Sequence, residues 1–158
     1  MIQQRFTPAP WHGGRVDEAG ARRGYRLLEH TADVALECWA PTRAECLAEA
    51  VRALASSFVD LLTASPSESF VVTFPAADDE GLLVGLLDEV IYLLDVFNKV
   101  PIDAEVEESA EDGLIVHFAT ATPDEIEVIG AVPKAVSLHQ LVFGTEGDSW
   151  RCHVTIDV

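Results

Sequence analysis

The residues best suited to chemistry in this chain are carboxylates. The closing run Trp150-Arg151-Cys152-His153-Val154-Thr155-Ile156-Asp157-Val158 alternates polar and apolar to its final residue, the pattern of a half-buried strand. A strand continuing to the last residue sets the Asp157 side chain beside the α-carboxylate of Val158. Far upstream, Glu29-His30-Thr31-Ala32-Asp33-Val34 places a polar knot between two strand-like runs. Where Asp33 comes next to the chain end, three carboxylates meet. Two unit negative charges ~4 Å apart repel by about 4 kcal/mol at an effective dielectric of about 20. A hard divalent cation held by oxygen ligands is the usual relief. Taken alone, Asp33 reads first as a turn residue accepting backbone amides. Asp157 alone reads as an outward strand residue beside Arg151, His153 and Thr155, with Trp150, Cys152, Val154 and Ile156 pointing inward.

Charge and composition narrow what such a site can serve. The 158 residues carry a formal net charge of −17, and 49% are hydrophobic. That apolar share excludes wholesale disorder, and the length suits one domain. Arg5, Arg15, Arg22, Arg23 and Arg26 against Asp17 and Glu18 give the first 26 residues +3, so the rest carries −20. A surface of that sign repels phosphate backbones and attracts cations or basic protein faces. Direct nucleic-acid binding by the folded part is therefore not expected. No apolar run reaches the ~20 residues of a membrane span, and no apolar secretory stretch opens the chain. Cys38, Cys46 and Cys152 form no paired spacing and read as buried thiols. These features fit a reducing cytoplasm. No phosphate-cradling glycine loop, nucleophile elbow or two-His helix is present, so an independent enzyme is not indicated.

The elements that must position the carboxylates follow from periodicity. Residues 1–23 hold Pro8, Pro10, Gly13, Gly14 and Gly20 without sustained periodicity and read as a flexible leader, with Trp11 and His12 as its one docking candidate. The domain proper is residues 24–158. Tyr25–Glu29 and Val34–Trp39 read as strands. Thr42-Arg43-Ala44-Glu45 is a capping box opening a helix, whose stripe is Leu47, Val51, Leu54, Ala55, Phe58, Leu61 and Leu62. Phe70, Val72 and Phe74 alternate as a strand. Asp78 or Asp79 caps a second helix with Leu83, Leu86, Leu87, Val90 and Leu94 inward. Strands follow at Ala104–Glu108, Leu114–Ala121, Lys134–Phe143 and Trp150–Asp157. Asp112-Gly113 signals a tight turn, and Gly144 to Ser149 a longer hairpin loop. Two amphipathic helices and about six or seven strands predict an α/β (α+β) two-layer sandwich. Its sheet is mixed or antiparallel, with both helices on one face. Asp88, Glu89 and Asp95 crowd the second helix's polar side and read as a solvated face, or as a surface for a basic partner.

Four motifs carry a family resemblance. They are His30-Thr31-Ala32-Asp33-Val34, the helix Leu82 to Asp95, Lys134-Ala135-Val136-Ser137-Leu138-His139, and the Asp157-Val158 ending. In this order and spacing, from Gly24 to Val158, they resemble the archeases. Leu138 stands where the family has its usual aromatic, and residues 123–131 lack a His. The resemblance implies an accessory protein that activates a GTP-dependent RNA-splicing ligase, promoting guanylylation and repeated turnover in tRNA splicing or RNA repair. It makes Asp33, Asp157 and the Val158 carboxylate the metal ligands. The metal is calcium first, with magnesium or manganese as alternatives. His30, Lys134 and His139 become candidates for supporting the site or contacting the partner, although His30 by itself reads as a structural hydrogen-bonding residue. Two other readings stay open: a small metal-dependent phosphoester hydrolase with His30 as its base, and an acidic chaperone or scaffold.

Overall fold

The computed structural model describes residues 22–29 and 33–158. The expected leader therefore falls largely outside the described residues, as do Trp11, His12 and His30. Among the described residues, seven strands and two main helices follow one another as β1 (Gly24–Glu29), β2 (Asp33–Ala40), α1 (Arg43–Ser56), β3 (Glu68–Phe74), α2 (Asp79–Phe97), β4 (Val100–Glu108), β5 (Leu114–Ala121), β6 (Ala135–Glu146) and β7 (Ser149–Asp157). A short 3₁₀ turn spans Pro123–Glu125. The α+β class with two helices and antiparallel strands is as the periodicity predicts. The strands divide into two sheets, ordered β1-β2-β7-β6 and β3-β5-β4. Alternation shows which face a residue takes; it does not show which strand lies alongside.

One core joins the inner faces of both sheets to both helices. From the first sheet come Tyr25, Leu36, Cys38, Phe143, Cys152, Val154 and Ile156, and from the second Phe70, Val72, Val116 and Phe118. Helix α1 contacts β1 and β2 of the first sheet and β4 of the second. Its alanines at 48, 50, 53 and 55 are all buried, and small side chains allow this approach from two sides. A smaller core holds Ala55, Phe58, Val59, Leu61, Val100, Ile102, Ala121 and Ile126. The three thiols are buried and free. Cys38 faces Cys152 across β2 and β7. Burial pushes the Cys38 thiol up, and hydrogen bonding with its neighbours pushes up those of Cys46 and Cys152, so all three stay neutral.

Local signals decide the element ends. Thr42 caps α1 by accepting the Glu45 N–H at 3.2 Å. Asp78 does the same for α2 from Gly81 at 2.8 Å. Helix α1 stops earlier than its apolar stripe suggests. The hydroxyls of Ser56 and Ser57 donate to the carbonyls of Ala53 and Leu54, offering the backbone an alternative to helix. Phe58 and Leu61 still reach the smaller core, but Leu62, expected in the stripe, is 78% exposed. The loop expected from Gly144 to Ser149 is a two-residue turn, since Glu146 pairs directly with Ser149. Gly147 takes its left-handed corner at φ 60°, which a residue without Cβ adopts at little cost. Among the described residues, no helix is long and apolar enough to cross a membrane.

Candidate functional site

Strand β2 starts on Asp33 and β7 ends on Asp157, and these two residues are direct partners in the antiparallel ladder. Opposed residues on one sheet face have Cβ atoms ~4.5–5.5 Å apart, and like charges so placed destabilise the pair. Asp157 also pairs with Ala135 on β6, so the end row reads Asp33, Asp157, Ala135. The Lys134 N–H donates to the Asp157 carbonyl at 2.8 Å and extends the ladder past the strand. Val158 is half-buried, with its side chain against the main core. That inward contact holds the backbone immediately after Asp157.

The same outer face carries cations, but not at this row. The second row is Leu28, Ala35, Thr155 and Ser137, and the third is Arg26, Glu37, His153 and Val142. Glu37 is held by Arg26 Nε at 2.7 Å and faces His153 Nδ1 at 3.7 Å. Arg26 in turn lies 5.9 Å over the Trp39 ring. Four residues of strand separate Glu37 from Asp33, roughly 13 Å, which exceeds the ~8–10 Å screening length of physiological salt. Arg26, paired with Glu37, therefore does little to compensate the charge of the end row. Among the described residues, neither Asp33 nor Asp157 has an ion pair or a side-chain hydrogen bond.

The remaining candidates are less closely grouped. The Lys134 side chain is exposed beside the row. His139 is exposed too, its N–H donating to Ser137 Oγ at 3.2 Å, and it sits where β6 leaves register with β7 between Ser137 and Val142. It does not join the carboxylate row. Among the described residues, no group of three or more His, Cys, Asp or Glu side chains is placed to hold a metal ion; Asp33 and Asp157 make two. The donors at this end are all hard oxygens, which suits a calcium-like cation better than a soft one.

Two features here escape simple strand reading. Glu37 looks like any outward strand residue, and only the fold brings Arg26 and His153 around it. The irregularity in β6 does have a signal. Val136 and Leu138 share one phase of alternation, whereas Leu141 and Phe143 share the other, so the chain must slip by an odd number of residues between them. On α2, burial raises the carboxyls of Asp88 and Glu89 above the usual range. One Glu89 oxygen, Oε1, is buried without a hydrogen-bond partner.

The architecture and its acidic strand end define a small α+β protein with a compact anionic tip. Residues 25–158 match the Archease protein family (MTH1598/TM1083), and the chain belongs to that family. It is similar to the probable protein archease of Mycobacterium tuberculosis, at 42% identity over 144 residues, covering 91% of this chain and 80% of that one. It is also similar to the protein archease of Methanosarcina barkeri, at 28% identity covering 85% and 95%. Among solved structures, Methanobacterium thermoautotrophicum protein 1598 superposes with a TM-score of 0.68 at 20% identity, covering 85% of this chain and 99% of that one. The Thermotoga maritima protein described as an archease and "possible chaperone" gives 0.62 at 23%, covering 84% and 96%. At these identities the solved structures speak for the fold alone.

Proposed function

We propose that this chain is a cytoplasmic, metal-binding accessory protein that activates an RNA-splicing ligase, promoting its guanylylation and multiple turnover, and is not itself an enzyme. The observation carrying this reading is the Asp33–Asp157 pair, two carboxylates opposed across a ladder. A protein gains no stability by placing two anions in register at a strand end; the arrangement suits a cation that supplies the missing charge. Asp33, Asp157 and the α-carboxylate of Val158 would hold that ion, with calcium preferred and magnesium or manganese as substitutes. When bound, the ion neutralises the row and acts as a Lewis acid toward oxygen ligands. The chain's own residues do the positioning. The Asp33–Asp157 register sets the two side chains on one face, the Lys134 N–H ties down the Asp157 backbone, and the Val158 side chain anchors the end.

The partner reading rests on charge. With a net −17, the molecule repels RNA and is drawn to a basic protein surface such as surrounds a nucleotide- and RNA-handling active site. Complementary potentials raise the rate of encounter more than they deepen affinity. The test is a ligase assay with guanylylation and successive turnovers as separate readouts. Wild-type chain should raise both in the presence of the divalent ion. A chain that leaves both unchanged while hydrolysing a phosphoester by itself would place it among the hydrolases instead.

A further inference from the structure

Strand β6 carries a surface device that the metal reading does not use. Between the pairs Ser137–Thr155 and Val142–His153, β7 supplies the single residue Val154, while β6 supplies Leu138, His139, Gln140 and Leu141. Regular alternation would send Leu138 inward after Val136. The bulge gives that place to Leu141, which packs on the main core, and leaves Leu138 71% exposed. Gln140 sits at φ 58°, a left-handed conformation uncommon in a residue that carries a Cβ. Val142, one residue beyond the bulge, is 57% exposed on the face shared with Asp33 and Asp157. Bulges of this kind re-aim a side chain and end strand pairing at an edge, and β6 is an edge strand.

We propose that Leu138, with Val142 beside it, is the apolar anchor with which the acidic tip docks on its basic protein partner. This inference rests on the accessory-protein reading. Leu138 lies three residues along β6 from Ala135, the residue facing Asp157, which is about 10 Å. A standard interface of ~800 Å² per partner has a radius of roughly 16 Å, so one footprint takes in the carboxylate row and the bulge together. Charge at the row draws a cationic surface. It gives little residence once there, because exposed ion pairs contribute little affinity. An aliphatic side chain that enters a pocket on the partner supplies what the charges lack. The partner is thus a protein with a cationic, metal-tolerant rim and an apolar pocket about 10 Å from it.

The experiment titrates wild-type, Leu138→Ser, Val142→Ser and Leu62→Ser chains into the ligase with calcium present, and measures calcium binding of each free chain. Leu62, 78% exposed, serves as the control and follows Leu61 of the smaller core. Leu138→Ser should raise the concentration for half-maximal stimulation about tenfold or more, with maximal stimulation and calcium affinity unchanged. Val142→Ser should give a smaller shift and Leu62→Ser none. An unchanged half-maximal concentration for Leu138→Ser, or an equal shift for Leu62→Ser, overturns the anchor and leaves the accessory function standing. A wild-type chain without stimulation overturns that function, and the anchor with it.

Discussion

Two carboxylate clusters in this molecule are built in opposite ways. Around α1, Glu49 is buried, and its Oε1 lies 2.6 Å from Arg23 Nε and 2.8 Å from Arg52. Arg52 also reaches Asp103 on β4 at 2.6 Å. There the chain brings its own cations to its anions and ties helix, sheet and the approach to β1 together. At the β2–β7 end, Asp33 and Asp157 face each other, and Arg26 is spent two rows away on Glu37. The first arrangement serves folding, because removing one member strands the others. The second has no benefit to folding that the geometry reveals. The external cation proposed above would supply charge that this end does not receive from an ion pair.

The comparison breaks most sharply at Asp33. Asp33→Ala should abolish ligase stimulation, and thermal unfolding without metal should be unchanged or slightly improved, since one of two opposed anions is gone. Calcium should raise the melting temperature of the wild type only; an equal rise in the variant would remove Asp33 from the ligand set. Glu49→Ala tests the other cluster and should behave in reverse. Its loss leaves Arg23 and Arg52 without their shared partner and should cost about 2–3 kcal/mol, or roughly 5–10 °C of melting temperature in a domain of this size. Calcium response and maximal stimulation should survive in the folded fraction. A melting point within a degree of wild type would show that water replaces the pair at no cost.

A gentler cut sharpens the end-row model. One glycine appended after Val158 turns its carboxylate into a peptide carbonyl and moves the charge by about 3.3–3.6 Å. Calcium and magnesium affinity should fall while the fold is kept, and an N-terminal tag should leave both untouched. Equal affinities for all three proteins would leave Asp157 to act through its side chain alone.

The smallest expected effect lies on α2. Burial raises the Glu89 carboxyl, so the folded state binds this proton more tightly than the unfolded state does. Stability from this group is then present at low pH and is lost as pH rises from the ordinary carboxylate range through the raised value. Glu89→Gln should accordingly raise the melting temperature by about a degree or two at neutral pH, a small effect because the part-exposed side chain is screened by solvent, and by nothing under acid conditions where Glu89 is already neutral. A gain that persists unchanged at low pH would point to packing instead of charge.

The faces of the strands were legible in the sequence because side chains alternate with a period of two. Trp150 to Asp157 needs nothing else to place Cys152, Val154 and Ile156 inward and Asp157 outward. The helix starts were legible as well, since Thr42 and Asp78 satisfy amides only three residues away. Leu62 and the Gly144–Ser149 turn were misread for the complementary reason: apolar spacing continues past a helix end, and a two-residue turn depends on which residues pair. What the sequence determined by itself was therefore local: faces, caps, the surplus of acid, and a motif set specific enough to suggest the family. The tertiary structure alone decided the pairings. It set Asp33 opposite Asp157 across more than a hundred residues of chain, assigned Arg23 and Arg52 to Glu49, and moved Leu138 from core to surface through a slip in register. Strand partnership and ion pairing depend on which distant segments come to lie side by side, and periodicity along the chain carries no information about that.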